Sequence, residues 1–574
     1  MPEPSAISQS GSRPLSVLAT GDPLCGPASF SRFILPFGYR RIPCPSPTGR
    51  RGGHFSPATR EDWLHRPGFF DSDGCLDLAR RQYLTRETAD VLFERARWFT
   101  LRGAEKNGAE VRPASIPRGQ QDGSYRAALQ PPAIVLFEFE HEGETIDRLQ
   151  TGLLVIEAIF PEPGEGAPSL GDLLQLNEVF RYWRRPYHEH DPSPVIGALF
   201  AKWQDLIEDA RRESGIKKSE HADYSRYWLS LLRVPFDDGD GSGFHLEPAF
   251  GPDPTHPEWA VNGDSRAFVA TCAIVAEPDG WKENAAISAT PLSPLRVWGK
   301  RGHCRKDLGY WIKLLNADGP GDQAGRIHEC SHFEREWVAQ RTYRRWLRYG
   351  TAYGYTDHSM AMLGAPTPNN DPPTWLHFGQ MYFDQLLLML YVRASLFRFS
   401  RELSLISARA RGHRAGSASD RTTFREKFAR LRLDFDLFTN LYQFPLLSTQ
   451  QQAVEMYSLL RHELDIGALY DEVEREIDGT HEMLELEATQ QFTFVATILG
   501  VLGILGVFAS VVQGAMSLAW FAGDASDGHS TAVKWVLGIA LAVFAALCAA
   551  ICFWRKWLPW SLQRLINSRA KNAK

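Results

Sequence analysis

A repeating set of small and hydroxylated side chains lies within an apolar stretch, residues 492–521. Two columns recur in it every seven residues, one beginning at Thr493 and one at Ala496. Such a repeat keeps one face of each helix toward a common axis when helices supercoil. Oxygen atoms along that face could surround a hydrated cation, as they do in a channel. The predicted pore-lining residues are Thr493, Gly500, Val507, Ser510, Gln513, Gly514 and Ser517.

The same columns allow a second interpretation that needs no pore. Gly500, Gly503 and Gly506 could serve only to let helices approach closely in lipid, because glycine has no side chain to hold them apart. Both interpretations predict that the helix assembles with copies of itself.

Acidic residues crowd the segment before this stretch. Around a shared axis their charges would add up and raise the local cation concentration. We predict this role for Glu482, Glu485 and Glu487, and a similar role in an outer loop for Asp524 and Asp527. The alternative is a solvated helix face that keeps the protein soluble, with loop carboxylates that only mark the non-cytoplasmic side.

The rest of the chain has no motif typical of an enzyme. It contains neither a Walker loop nor a nucleophile elbow. The net charge is only -5, which argues against a nucleic-acid partner. The eight cysteines are scattered and are interpreted as reduced thiols. We therefore predict a protein that is not an enzyme and has no covalent cofactor, and the sequence does not identify a metal site.

Two apolar stretches must position the predicted pore residues. Residues 492–521 and 533–553 each exceed the roughly 18 to 20 residues that a membrane-spanning helix needs. They predict a first transmembrane helix, an outer loop over 522–532, a second transmembrane helix and a basic tail over 554–574. Lys and Arg near a span stay on the cytoplasmic side. The basic residues after the second span are Arg555, Lys556, Arg564, Arg569, Lys571 and Lys574. We therefore predict a multi-pass protein of the inner membrane with both termini in the cytoplasm.

The part before the membrane, residues 1–491, forms the predicted cytoplasmic head. Residues 1–59 are rich in Pro, Gly and Ser and are expected to be loosely ordered. An α/β domain is predicted over 60–365, and a helical and stalk region over 366–491. Predicted strands are residues 133–140, 153–160, 267–275, 310–315 and 352–362. Predicted helices are residues 170–183, 195–211, 224–232, 375–407 and 422–441, with a last helix from about 449. If that helix continued to residue 521, its length would be about 110 Å.

This order of elements, with TFVATIL at residues 493–499, resembles the CorA-like superfamily of two-span metal-ion transporters over about residues 130–574. The resemblance implies a homopentamer in which the first spans line a central pore. It also implies Mg²⁺ or another divalent cation as the transported or regulatory ion. The family's Gly-Met-Asn triplet is absent, and Gln513, Gly514, Ala515 and Met516 lie near the end of the first span instead.

Three functions are compatible with these features. The first is a CorA-like channel or transporter that conducts cations through an oligomeric pore gated by its cytoplasmic head. The second is a CorA-like membrane effector that a signalling nucleotide opens in prokaryotic defence, which the large head and the missing triplet favour. The third is a non-conducting membrane scaffold. We favour ion conduction, with the protein itself, the lipid bilayer and, for the effector, a nucleotide as partners.

Overall fold

The structure is a computed structural model that describes part of the chain. The described residues are 24, 28–43, 63–65, 80–101, 109–111, 127–129, 133–137, 149–160, 168–181, 236–237, 244–248, 266–275, 306–320, 332–346, 351–364, 374–412, 418–443, 446–521, 535 and 538. The chain divides into an N-terminal unit, Met1–Ile477, and a C-terminal unit, Asp478–Lys574.

The N-terminal unit is built on a mixed β-sheet. Its strands are β1 Phe30–Pro43, β2 Trp63–His65, β3 Ala96–Leu101, β4 Ala109–Val111, β5 Ala127–Leu129, β6 Ala133–Phe137, β7 Gln150–Ile159, β8 Phe236–Asp237, β9 Phe244–Pro248, β10 Phe268–Ile274, β11 Thr342–Tyr343, β12 Ala352–Tyr355 and β13 Ser359–Gly364. They pair in the order β11-β12-β13-β10-β1-β9-β8-β2-β3-β6-β7-β5-β4, and β1 also pairs with β7. The pairings β10 with β13 and β2 with β8 are parallel, and the others are antiparallel.

Strand β1 occupies the middle of this sheet. One of its edges pairs with β7 from Phe30 to Tyr39, and the other pairs first with β10 and then with β9. Its side chains from Phe30 to Leu35 are buried. The prediction that residues 1–59 are loosely ordered is therefore wrong for residues 30–43. Burial between two neighbouring strands outweighs a local composition rich in Pro and Gly.

Several helices pack on this sheet. The described helices are α1 Arg86–Ala89, α2 Leu170–Arg181, α3 Lys306–Asn316, α4 His332–Arg341, α5 Thr374–His377, α6 Phe383–Gly412, α7 Ala418–Tyr442, α8 Gln451–Glu463 and α9 Ile466–Phe521. Two π-helical segments, Asp90–Arg95 and Phe378–Tyr382, follow α1 and α5. Hydrogen bonds connect helix α2 to the sheet: the Asn177 side chain accepts from the Ser31 hydroxyl and donates to the Thr271 hydroxyl. A mixed-sheet domain followed by long helices is thus confirmed.

Two predicted strands are different in the structure. Residues 310–315 belong to helix α3, where Trp311, Leu314 and Leu315 are buried at helical spacing. A short apolar run does not distinguish helical from strand periodicity. Residues 310–315 are helical because α3 packs its apolar side on β13. Residues 352–362 form parts of two antiparallel strands, β12 and β13, because the chain turns at Asp357 and His358. The predictions for 133–140, 153–160, 170–183 and 267–275 are confirmed within a few residues.

The long last helix is broken once near its start. Helix α8 ends at Glu463, and α9 begins at Ile466 and continues for 56 residues through Gly467 and Gly479. Asp465 lies between them with φ 52°, a left-handed conformation that ends a right-handed helix. The helix that was expected from about residue 449 is therefore two helices, and α9 itself is about 84 Å long at 1.5 Å per residue.

Several predictions fall outside the described residues. These are the helices over 195–211 and 224–232, the outer loop over 522–532 and the tail over 554–574. Of the predicted second transmembrane helix, the structure describes only Trp535 and Gly538, so the hairpin stays a prediction.

Candidate functional site

The candidate functional site is the apolar part of helix α9. Among the described residues, α9 is the one helix long and apolar enough to cross a membrane, over Ile466–Gly514. No residue of its most apolar stretch is buried, and Phe492 is 76% exposed. A core helix of a soluble protein would bury such a stretch against its own fold. The surface of α9 therefore requires lipid, another protein segment, or both.

The predicted pore residues all lie on α9, and all of them except Gln513 belong to the two heptad columns. Thr493, Gly500, Val507 and Gly514 form one heptad column, and Ser510 and Ser517 belong to the neighbouring column. In a straight helix such a column drifts by about 20° per heptad, so that it stays aligned only if the helix supercoils. Gln513 lies about 100° around the axis from Gly514, beside the columns rather than on them.

The hydroxyl groups of this face are satisfied within the helix. Thr493 donates to the carbonyl of Thr489 at 2.8 Å, Ser510 to Gly506 at 2.8 Å and Ser517 to Gly514 at 2.8 Å. A hydroxyl bonded in this way is tolerated in lipid because no donor is left without a partner. Its oxygen also keeps lone pairs that can accept a hydrogen bond from a hydrated cation.

No packing contact among the described residues requires the glycines of α9. A Cβ atom added at Gly500, Gly503, Gly506 or Gly514 would meet no atom within 4 Å. Glycine in a helix costs about 1 kcal/mol relative to alanine, and this cost is not offset by any close contact in the described residues. The open space at these positions suits both a water-lined face and close contact with another helix.

The predicted acidic groups are only partly described. Glu482 and Glu485 are exposed on α9, and Glu485 lies 3.0 Å from Nε2 of His481 one turn earlier. Glu487 belongs to the helix, but its side chain is outside the described part, as are Asp524 and Asp527. Among the described residues, no group of three or more His, Cys, Asp or Glu is arranged to hold a metal ion.

A buried network of charges in the N-terminal unit was not predicted from the sequence. Arg32 of β1 donates to Glu157 of β7 at 2.7 Å and to the carbonyl of Gly379 in the π-helical segment. Arg80 forms a bidentate pair with Asp384 of α6, at 2.8 and 2.6 Å. All four side chains are at most 6% exposed, and burial lowers the pKa of Arg32 despite Glu157. These pairs hold the sheet, the π-helical segment and α6 together.

The sequence offered one weak signal for this network. Asp384 lies two residues before an apolar run, residues 386–392, whose side chains are 0 to 3% exposed. A carboxylate beside a buried run needs a buried cation, but nothing in the sequence identifies Arg80 as its partner.

The chain was compared with family models, curated proteins and solved structures, and no match was found.

Proposed function

We propose that this protein is a membrane ion channel or transporter of the CorA-like type, which conducts cations through an oligomeric pore. In this proposal residues 492–521 of α9 form the first membrane span, the two heptad columns face the pore, and the N-terminal unit controls opening. The second span, the outer loop with Asp524 and Asp527, and a pentameric assembly complete the proposed architecture. The proposed permeant or regulatory ion is Mg²⁺ or another divalent cation.

The observation that carries the proposal is the surface of α9. Its large apolar side chains are exposed, with Leu499 at 62% and Leu502 at 57%, which favours contact with lipid. Its small and hydroxylated side chains lie together in two columns that a supercoiled oligomer would turn toward its axis. A helix with one apolar surface and one oxygen-bearing face suits the lining of a pore better than a simple anchor.

Liposomes that contain the purified full-length protein should take up cations. We expect divalent cations or K⁺ to enter at a rate at least tenfold above that of empty liposomes, and Cl⁻ to enter more slowly, because the stalk carboxylates attract cations. Flux of Mg²⁺, Ni²⁺, K⁺ and Cl⁻ is measured separately, with fluorescent indicators inside the vesicles. Equal flux of Cl⁻ would contradict the predicted selectivity, and silence toward every ion would favour the scaffold.

Neutralising three carboxylates before the membrane should lower cation conductance mainly at low salt. The change is Glu482→Gln, Glu485→Gln and Glu487→Gln together. We expect a reduction of roughly twofold or more at 0.01 M salt and little change at 1 M, because the Debye length falls from about 30 Å to about 3 Å. Single-channel or vesicle conductance at both salt concentrations gives the comparison.

The matched control removes three charges at a greater distance from the apolar stretch. It combines Asp471→Asn, Glu472→Gln and Glu474→Gln on the same helix. At about 0.1 M salt the Debye length is about 10 Å, so this control should reduce conductance less than the first triple variant does at the same salt concentration. Equal effects of the two triple variants, or a reduction that does not depend on salt, would remove the cation-attracting role.

A second candidate function is a membrane effector that a signalling nucleotide opens. The missing Gly-Met-Asn triplet and the size of the N-terminal unit favour it, since a selective magnesium filter would not be needed. The same liposomes separate the two functions if a nucleotide extract of stressed cells is added. Flux of several ions only with the extract would support the effector, whereas flux of divalent cations without it would support the transporter.

A further inference from the structure

Helices α6 and α7 form an antiparallel hairpin. The ring centroids of Tyr391 and Tyr442 are 4.7 Å apart, and those of Phe399 and Phe435 are 5.4 Å apart. Residue numbers rise along α6 as they fall along α7, so the two helices run in opposite directions. The hairpin closes between the end of α6 and the start of α7. Its closed end therefore lies beyond Phe399.

The part of α9 within the N-terminal unit runs toward that closed end. Arg393 of α6 donates to the carbonyl of Asp357, and the carboxylate of Asp357 acts electrostatically on Glu463 at the end of α8. About two turns further along α6, the Ser400 hydroxyl donates to Glu476 of α9 at 3.4 Å. Contacts with α8 and then with α9 thus advance along α6 toward its C-terminus, so the start of α9 has the same direction as α6.

The closed end of the hairpin carries an excess of positive charge. We call it the basic hairpin end and define it as residues 409–412 of α6 and 418–430 of α7. It contains six cations and two carboxylates, although the net charge of the whole chain is -5. The cations are Arg409, Arg411, Arg421, Arg425, Lys427 and Arg430, and the carboxylates are Asp420 and Glu426.

This positive charge is not balanced by described neighbours. Lys427 and Arg430 are exposed, and neither they nor the half-buried Arg425 form an ion pair or hydrogen bond within the described part of the chain. Arg421 and Arg425 lie in the first turns of α7, where the helix dipole favours anions rather than cations. Cations held together at such a position repel one another, so an external anion would stabilise the basic hairpin end.

One face of α7 is buried, and another face carries these cations. Phe428, Leu431 and Phe435 recur at helical spacing and are 2 to 4% exposed. Lys427 and Arg430 lie three residues apart on the exposed side of the same helix. The apolar face fixes α7 in the N-terminal unit, so that the cations are presented outward by a rigid element.

We propose that the basic hairpin end binds the anionic lipid headgroups of the membrane that α9 enters. This inference rests on the part of the proposed function that makes residues 492–521 a membrane span. Helix α6 extends about 18 Å beyond Ser400, and α9 extends about 24 Å from Glu476 to Phe492. The two paths are similar in length, which favours contact between the basic hairpin end and the headgroup layer. Lys and Arg are attracted to an anionic membrane surface within about a Debye length of it.

An anionic lipid surface suits this site better than a single small anion. From Arg421 to Arg430 the cations extend along about 14 Å of α7, which is more than one phosphate group can contact. A membrane surface instead presents many phosphate groups side by side. Guanidinium groups also bind phosphate through two parallel hydrogen bonds, so arginine is well suited to headgroups of this class.

Trypsin, which cleaves after arginine and lysine, tests this contact on the full-length protein in nanodiscs. Discs of phosphatidylcholine alone are compared with discs that also contain about 30% phosphatidylglycerol, an anionic lipid. Cleavage after Arg409 and Arg411 is followed by mass spectrometry. At about 0.1 M salt it should be at least about tenfold slower in the anionic discs. At about 1 M salt the difference should fall below about twofold, because the Debye length shortens from about 10 Å to about 3 Å.

Two double variants make the result specific. Arg421→Gln with Arg425→Gln removes two cations and leaves both cleavage sites, so cleavage in the anionic discs should become at least about fivefold faster than in the wild type. The matched control, Arg86→Gln with Arg95→Gln, removes two exposed arginines elsewhere in the N-terminal unit and should keep the wild-type protection. Equal thermal melting of the variants shows that they are folded. Equal cleavage of a small fluorogenic substrate beside both kinds of disc shows that the lipid does not alter trypsin itself.

Equal cleavage rates in the two kinds of disc would overturn the proposal. If both rates were slow, the acidic residues of α9 in another copy of the chain would be the partner instead. Protection in anionic discs that Arg421→Gln with Arg425→Gln does not relieve would also overturn it.

Flux measurements on the same wild-type protein separate this inference from the proposed function. Cleavage that depends on the lipid in a protein that conducts no ion would disprove conduction and leave the lipid contact in place. Conduction with cleavage that does not depend on the lipid would disprove the lipid contact and leave conduction in place.

Discussion

Replacing Asp384 by alanine should lower the free energy of unfolding by about 3 to 5 kcal/mol, because it leaves the Arg80 guanidinium charged and without its carboxylate in the protein interior. Both side chains are 1% exposed, and the carboxylate accepts two bonds from Arg80. Asp384 also favours the charged form of Arg32, so the second buried pair loses an attractive charge as well. Urea unfolding of the full-length protein in detergent, followed by near-ultraviolet circular dichroism, measures the loss.

Two controls separate burial from charge pairing in general. Glu94→Ala breaks an ion pair with Arg81 whose side chains are 59% and 37% exposed, and it should cost less than about 1 kcal/mol. The combined change Arg80→Met and Asp384→Leu removes both charges and should cost much less than Asp384→Ala alone. If Asp384→Ala were as mild as Glu94→Ala, the buried network would not hold the N-terminal unit together.

Replacing Ser510 by tryptophan should reduce cation flux by at least about tenfold while the oligomer remains intact. Ser510 lies in the second heptad column and is exposed in the single chain. In the proposed pore, an indole ring at this position would enter the channel from every copy. A large side chain at a narrow constriction both occupies space and excludes water. Flux into liposomes, with native mass spectrometry of the same preparation, gives both readouts.

The control is Leu502→Trp, on the same helix but outside the two columns. Leu502 is 57% exposed, and in the proposed arrangement it faces lipid, where tryptophan is tolerated. This variant should conduct like the wild type. Flux that is unaltered by Ser510→Trp would exclude the columns from the pore, and a dissociated oligomer would assign them to helix contact.

Segments with a strong local pattern could be predicted from the sequence. Strands β6, β7 and β10 are continuous apolar runs, and α6 and α7 show helical spacing over many residues, so that neighbouring positions alone define them. The apolar run in α3 is too short to distinguish helical from strand periodicity, so the strand predicted there is a helix in the structure. The columns of α9 also depend only on neighbouring positions, since they follow from a seven-residue interval within one helix.

The break at Asp465 shows the limit of such patterns. Glycine destabilises a helix, so a break is expected at Gly467 or Gly479, yet α9 continues through both. The break lies instead at Asp465, which has a left-handed backbone between the buried residues Leu464 and Ile466 and next to the ion pair of Glu463 with Arg341. Arg341 belongs to α4, more than a hundred residues earlier in the chain.

The sequence by itself determined an apolar segment of membrane-spanning length, the heptad columns within it and the succession of a sheet domain and long helices. Each of these follows from side chains that are neighbours along the chain, because periodicity and length are local properties. Only the tertiary structure decided that β1 lies in the middle of the sheet and that Arg80 pairs with Asp384, which is 304 residues away. Such choices depend on which distant groups are buried together, since a buried strand needs paired edges and a buried charge needs a partner.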